Sequence, residues 1–339
     1  MNDPLTITWD VDPVMVHIPR AAVLGIMGAT ALLQLVIGLN KKSRESLTSA
    51  ALVGALAFVA WGFMEDSWEL RYYPMIFMVV FVGGRALMNW QITRGGGQRN
   101  EADLFIMYGV LGVILGARFG HVLFYNLDKA LADPLWVLQI WRGGLASHGA
   151  TIGLTLAMFL FCRRRGVSFI EGADRFVFSA ALGATLVRLG NLLNSEIVGR
   201  PTGGDWGFYF VRADGLDGPL RHPSQLYEIC LGLTVMLALY VADRALGKEK
   251  RPRGAMISLF FLLYFSGRFA VEFFKAHHTL PDSWPLTMGQ LLSLPGIMLG
   301  LGGLIVSLRR RVPVGWTPAA DQDVTASSGR ADHPPPTPA

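Results

Sequence analysis

Long apolar blocks alternate with short polar ones along nearly the whole chain. Nine blocks stand out, at about 21–39, 47–63, 72–90, 104–125, 147–162, 174–194, 225–243, 254–274 and 287–308. Blocks of about 16–22 residues suit an α-helix that rises 1.5 Å per residue through a hydrocarbon core of about 30 Å. Lipid offers the backbone no hydrogen-bond partner, so a spanning block must satisfy its own N–H and C=O groups as a helix. The pattern predicts an all-α polytopic integral membrane protein with about nine transmembrane spans. The second and fifth blocks are the shortest.

The polar breaks carry an orientation. Basic residues follow the first, third, fifth and seventh blocks: Lys41, Lys42 and Arg44; Arg94 and Arg99; Arg163, Arg164 and Arg165; Lys248, Lys250, Arg251 and Arg253. The last block runs into Arg309, Arg310 and Arg311, whereas the N-terminus carries Asp3, Asp10 and Asp12 and residues 65–69 are acidic. Basic loops stay cytoplasmic, which puts the N-terminus outside and the C-terminus inside and requires an odd number of spans; nine satisfies this, as would seven. Residues 1–19 lack a basic n-region followed by a small-residue cleavage site, so no removable signal peptide is evident. Residues 312–339, rich in Pro, Ala, Thr, Ser and Asp, read as a disordered cytoplasmic tail.

Composition strengthens this class. Hydrophobic residues make up 52% and charged residues 16%, against roughly 25% charged in soluble domains. A net charge of +5 would suggest nucleic acid in a soluble protein, but here the basic residues mark loops, and no nucleic-acid partner is expected. Cys162 and Cys230 sit in or beside different blocks without CxxC or Cys/His spacing, and read as buried hydrophobes. No metal and no cofactor is expected.

Ionisable groups in lipid are costly, so each is a functional candidate weighed against structural pairing. Arg118 and His121 lie in the stretch 116–126, and His148 opens the fifth block; a lone histidine in a Gly-rich stretch is either structural or a ligand-facing base. Arg188, Asn191 and Asn194, spaced by three, share a helix face that leads to Glu196, Gly199 and Arg200. Beyond the loop comes Arg221-His-Pro-Ser-Gln-Leu-Tyr-Glu228, where Ser224 is placed to cap a helix. Arg268 and Glu272, four apart, suit an intrahelical ion pair. These clusters map to one leaflet depth. Arginines gathered there suit a phosphate, whose oxygens match the guanidinium fork, and a phospholipid headgroup is the natural ligand.

Arg188-Leu-Gly-Asn-Leu-Leu-Asn-Ser-Glu196-Ile-Val-Gly199-Arg200-Pro resembles the signature of the prolipoprotein diacylglyceryl transferase family. The resemblance extends over 116–126, Asp133-Pro134, Gly143-Gly144, Ser147-His148-Gly149, 221–228, 268–275 and 288–295, in the family's order, and covers about residues 71–308. It implies transfer of the diacylglyceryl group from phosphatidylglycerol to the lipobox cysteine thiol of a prolipoprotein, with release of glycerol phosphate, at the outer leaflet of the bacterial inner membrane. Position by position it implies that Arg188 and Arg221 are the essential arginines, that Asn191, Glu196 and Gly199 belong to the substrate site, and that His148 is the base. Tyr73, in Arg71-Tyr-Tyr-Pro74, stands where the family carries a functional tyrosine. Arg118 is expected beside the substrate or as a pin for the fourth span. A thiol near pKa 8.5 is little ionised at neutral pH, so a base at the interface has a task.

Val187 and Ala150 replace family glycines, and the segment between Arg200 and Arg221 is shorter than in many relatives. About residues 20–64 add two apolar blocks ahead of the family's first span, a pair that leaves later orientations unchanged. The expected organisation is an N-terminal segment with the extra hairpin (1–64), a seven-helix transferase core (65–311) with a small external head at about 195–224, and the tail (312–339). Two other readings stay open: a catalytically silent phospholipid- or lipoprotein-binding paralogue, and a transporter, which would show polar groups at several depths and internal repeats.

Overall fold

A computed structural model describes residues 5–63, 67–139, 143–276 and 284–316. Eleven α-helices appear among them: α1 (Arg20–Lys41), α2 (Arg44–Phe63), α3 (Tyr72–Arg94), α4 (Arg99–Tyr125), α5 (Leu127–Ala132), α6 (Ser147–Arg165), α7 (Phe169–Leu193), α8 (Val211–Asp214), α9 (Ser224–Ala245), α10 (Ala255–Val271) and α11 (Met288–Arg310). Nine of these coincide with the nine apolar blocks. Seven, namely α1, α3, α4, α7, α9, α10 with its 3₁₀ extension to Phe274, and α11, are long and apolar enough to cross a membrane. The other two, α2 and α6, are the two shortest blocks, and α6 ends in Arg163, Arg164 and Arg165. The protein is an all-α polytopic membrane protein.

Loops gather at two ends of the bundle. The basic end holds the turns after α1, α3, α6, α9 and α11; the head end holds the others, including 194–223. Four short strands, which block periodicity did not predict, lie at the head end. β1 (Thr6–Trp9) pairs in parallel with β4 (Gly207–Phe210), and β2 (Val14–Pro19) pairs antiparallel with β3 (Ser67–Arg71). Thr6-Ile-Thr-Trp9 alternates in polarity as strands do and Val14-Met-Val-His-Ile18 is rich in β-branched residues, over lengths too short to stand out beside twenty-residue blocks. Trp9 donates its indole N–H to the Leu192 carbonyl (2.9 Å), tying the N-terminal strand to the end of α7.

The extra hairpin has a simple anatomy. Helices α1 and α2 pack on each other where Gly38 meets Leu47, and among their described side chains only Gly38 and Ala50 are buried. Its two ends, Pro19 and Ser67, are register partners across the β2–β3 pair.

Small residues let the core helices approach closely. Gly112, Gly116 and Gly120 of α4 face Gly149 and Gly153 of α6, and a Cβ on Gly153 would overlap the Gly112 carbonyl oxygen. Met88, Ile92, Phe105 and Phe161 fill one core beside this crossing, and Val177, Phe178, Val235, Leu239 and Met256 fill a second between α7, α9 and α10.

The basic end is locked by ion pairs. Arg94 meets Asp243 (2.7 Å) and Glu249 (2.6 Å); Arg175 meets Glu171 (2.8 Å) and Glu249 (2.6 Å); Arg251 meets Asp243 (3.0 Å). Burial works against the Glu249 carboxylate, yet hydrogen bonds from Arg175 and Arg94 hold it below its usual range. Residues 312–316, expected with the tail, instead lie across this end: Arg253 N–H donates to the Val312 carbonyl (2.7 Å). Trp316 is buried against Phe161 and donates to Glu101, because a large aromatic gains more from the Met88/Phe161 core than from water. The rest of the expected tail, 317–339, lies outside the described residues.

Candidate functional site

The last turn of α7 carries the polar face that spacing predicted. Arg188 Nη1 donates to Asn191 Oδ1 (3.1 Å), Asn191 Nδ2 to Glu196 Oε2 (3.2 Å), and Asn194 Nδ2 to Glu196 Oε1 (3.1 Å). Tyr73 at the start of α3 joins them: its ring covers Gly190, and its phenol faces Asn191, Arg188 and Glu196. Arg188, Asn191, Glu196 and Tyr73 thus form one cluster.

The neighbouring helices complete it. Arg188 Nε lies 3.1 Å from Glu228 Oε2, and Glu228 also meets Lys275 Nζ (2.9 Å) and Arg268 Nη1 (3.5 Å). Glu228 comes from the start of the second turn of α9, Arg268 from the end of α10 and Lys275 from just beyond it, so three cations from α7 and the α10 segment converge on one buried carboxylate. Arg268 therefore reaches across to Glu228, while Glu272 pairs with Lys275 (3.4 Å), in place of the intrahelical Arg268–Glu272 pair expected. The 3₁₀ turn at 272–274 that ends α10 brings Lys275 back within reach of Glu272, while the buried Glu228 carboxylate draws Arg268 across to α9.

A loop of unusual backbone caps the cluster. Ser195 and Ile197 both adopt the left-handed region (φ 54° and 55°), which non-glycine residues hold only where neighbours impose it. The neighbours are the His-Pro-Ser-Gln residues. Gln225 Nε2 donates to the Glu196 carbonyl (2.7 Å), and Ser224 Oγ to the Ile197 carbonyl (3.0 Å). Ser224 is thus a clamp on the loop, and the helix cap expected of it is not made: Pro223 holds the N-cap position without a side-chain bond. Gly199 threads between two strands of backbone, donating to the His222 carbonyl (3.1 Å), and a Cβ there would overlap that oxygen and press on the Phe274 carbonyl.

Arg221 lies on the other side of Gly199. It donates Nη1 to the Gly199 carbonyl (3.1 Å) and binds both oxygens of Asp214, at 2.6 and 2.8 Å, which raises its pKa above the usual guanidinium value. His222 is buried among Trp206, Tyr227 and Phe274; burial, and then the charge of Arg200, hold it below the usual imidazole value.

His148 is positioned by a separate device. Gly143 and Gly144 (φ 77° and 76°) turn the chain into α6. Arg118, buried in α4, spends its donors on that turn and the preceding one: Nε to the Val137 carbonyl (2.8 Å), Nη1 to Gly143 (2.8 Å) and Nη2 to Trp136 (2.6 Å), with its guanidinium 4.4 Å over the Trp136 ring. Ala146 N–H then donates to the Ala117 carbonyl (2.9 Å), and Gly149 crosses Gly116 and Gly120. His148, between these two fixed points, is exposed. Among the described residues no hydrogen bond or ion pair joins His148 to Arg188, or the Arg221 guanidinium to Arg188. Among the described residues no set of three or more His, Cys, Asp or Glu is gathered to hold a metal.

Sequence reasoning passed over Glu228 and Lys275 as site residues. Glu228 was legible in principle, three and four residues after Gln225 and Ser224 on the same helix face. Lys275 was not, because only the packing of α10 against α9 brings it there.

A family model described as prolipoprotein diacylglyceryl transferase matches residues 59–306, more than two thirds of the chain. The chain belongs to that family. Proteins named phosphatidylglycerol–prolipoprotein diacylglyceryl transferase are similar throughout this region. The one from Pseudoalteromonas atlantica is 37% identical over 250 residues, 71% of this chain and 86% of the relative. That from Chloroherpeton thalassium is 36% identical over 256 residues (72% and 92%), and that from Oleidesulfovibrio alaskensis 39% over 246 residues (70% and 88%). The family match begins near the end of α2, so α1 and most of α2 precede it, while the Arg188 cluster, the loop it holds, Arg221, Arg118 and His148 all lie within it.

Proposed function

We propose that this chain transfers the diacylglyceryl group of phosphatidylglycerol to the lipobox cysteine thiol of prolipoproteins, releasing glycerol phosphate as the first step of lipoprotein maturation. The observation that carries this reading is the convergence of Arg188, Arg268 and Lys275 on Glu228 at the end of the bundle that a phospholipid headgroup reaches. In the proposed orientation the N-terminus is outside, the C-terminus is cytoplasmic, and the head end meets the outer leaflet of the inner membrane. Every basic turn then faces the cytoplasm.

The chemistry is substitution at carbon. The substrate sulfur forms a bond to the glyceryl carbon that carries the phosphoester, the carbon–oxygen bond breaks, and the phosphate oxygen keeps the electron pair. The thiol must first lose its proton, and His148, exposed at the start of α6 and free of competing hydrogen bonds among the described residues, is the proposed acceptor. Arg118 serves as a positioning residue for that turn. Arg188 binds the phosphodiester and stabilises the charge that develops on the leaving phosphate. Tyr73, Asn191 and Glu196 hold the Arg188 guanidinium in place, and Gly199 lets the loop pass. Arg221, held by Asp214 and the Gly199 carbonyl, keeps two of its five guanidinium N–H donors for the same phosphate. Arg268 and Lys275, which share Glu228 with Arg188, are further candidate cations beside it. Residues 20–64 are proposed as an added hairpin outside the transferase core.

The test is direct. Purified full-length protein is given phosphatidylglycerol and a lipobox peptide, and the peptide mass is read, with complementation of a transferase-depleted strain in parallel. Gain of a diacylglyceryl group is expected; an unmodified peptide and no complementation overturn the assignment.

A further inference from the structure

The α4–α6 crossing leaves an apolar groove of about 600 Å³ beside it. Glycines bring the two helices together, and the larger residues flanking them, Leu111 and Leu115 on α4 and Leu156 and Leu160 on α6, stand as its walls. One end of the groove lies at Phe124 on α4 and Gly149 on α6, the other at Tyr108 and Leu160. From Gly149 to Leu160 a helix advances about 16 Å at 1.5 Å per residue. That is close to the hydrocarbon depth of one leaflet, half of a core of about 30 Å.

Its place in the fold distinguishes this groove from the rest of the lipid-facing surface. The head-side mouth is adjacent to His148 in the chain, and the helix start that carries His148 is fixed by the Arg118 turn and the Gly149 crossing. A second apolar hollow, about 520 Å³ against Trp90, Phe178 and Tyr240, lies toward the basic end of α3, α7 and α9, away from any candidate chemistry. Of these two, the first groove puts the ester end of a lipid chain at the level of the proposed base. Its floor is largely backbone in van der Waals contact, so its length is set by the walls and cannot stretch to suit a longer occupant.

We infer that this groove receives one acyl chain of the phospholipid substrate and sets which chain lengths are transferred efficiently. The inference rests on the transferase reading above. Because Leu111 and Leu160 are exposed at the deep end, bulk added there shortens the groove without overfilling a core.

Full-length protein, Leu111→Trp, Leu160→Trp and, as a lipid-facing control away from the groove, Met298→Trp are compared on dioctanoyl- and dipalmitoyl-phosphatidylglycerol with a lipobox peptide. The two groove variants should keep near wild-type kcat/KM on the short-chain lipid and lose at least about tenfold on the long-chain lipid, the scale of one misfit group in an apolar pocket. Met298→Trp should leave the ratio between lipids unchanged. Equal losses on both lipids, or no loss on either, overturn the inference while leaving the transferase reading intact. Leu111→Phe and Leu160→Phe read the same ratio if a tryptophan variant is not recovered folded. Wild-type protein that transfers from neither lipid overturns the transferase reading, and the groove assignment falls with it.

Discussion

Helix α7 ends in a polar cluster at each extremity, and the two differ in how their charges are matched. At the basic end Arg175 and Arg251 are fully buried, and arginines and carboxylates meet at 2.6–3.4 Å in mutual pairs. At the head end three cations share Glu228 at 2.9–3.5 Å, and the Arg188 and Arg268 side chains keep 16% and 24% exposure. A network in which each arginine is matched by carboxylates has little surplus charge for a ligand, and its worth is in specifying how loops dock. A looser cluster with more cations than carboxylates at its centre can exchange a partner for a phosphate. Both read as arginines near span ends in the sequence; their partners separate structure from proposed chemistry.

The largest expected effect concerns the base, which belongs to neither network. His148→Gln should slow transfer by about 10²–10⁴-fold, and raising the pH should restore part of the rate as the substrate thiol ionises unaided. Near-native turnover of this variant at neutral pH would return His148 to a structural role.

A crossed pair of substitutions tests the comparison itself. Arg188→Ala should cost of order 2–5 kcal/mol of transition-state binding through an unmatched phosphate charge, with folded yield and Tm near wild type. Arg188→Lys should be impaired less, because it keeps the charge without the fork. Arg175→Ala should do the opposite. It takes the nearest cation from Glu171, which is fully buried, a destabilisation of about 3–5 kcal/mol, while the folded fraction keeps its kcat. If Arg188→Ala unfolds and Arg175→Ala is folded but inactive, the two ends have been assigned the wrong way round.

A smaller effect is expected from Gly199→Ala. Its Cβ would press on the His222 and Phe274 carbonyls, and overpacking of this kind costs about 1–3 kcal/mol. Thermal unfolding and transfer should both fall, whereas Gly204→Ala, whose Cβ meets only the Trp206 ring at ordinary contact distance, should be neutral in the same two assays.

The smallest effect is assigned to the added hairpin. Since Pro19 and Ser67 are paired across β2 and β3, residues 20–66 can be removed and the strands rejoined by an Asn-Gly turn of the type that links antiparallel strands. Both spans leave together, so the orientation of the core is kept. Transfer at the wild-type rate is expected from the inserted protein, and its loss would place the hairpin in the site. Truncation at residue 65 is a harsher experiment, because it also removes β1 and the Trp9 bond to Leu192.

By itself the sequence determined the class of solvent, the number and place of the long helices, and the alternation of basic and acidic turns, because a bilayer forces backbone polar groups into helices and reads lysine and arginine directly. It also determined the local polar face at 188–194, where helical geometry makes neighbours three apart adjacent. Tertiary structure decided what no spacing encodes. It gave Arg268 and Lys275 to Glu228, gave Arg221 to Asp214, turned Ser224 from a cap into a clamp on the Ile197 carbonyl, and brought the N-terminal strand to β4. Those choices depend on which helices pack together, and an arginine in lipid must find a partner from whichever segment the packing brings within reach.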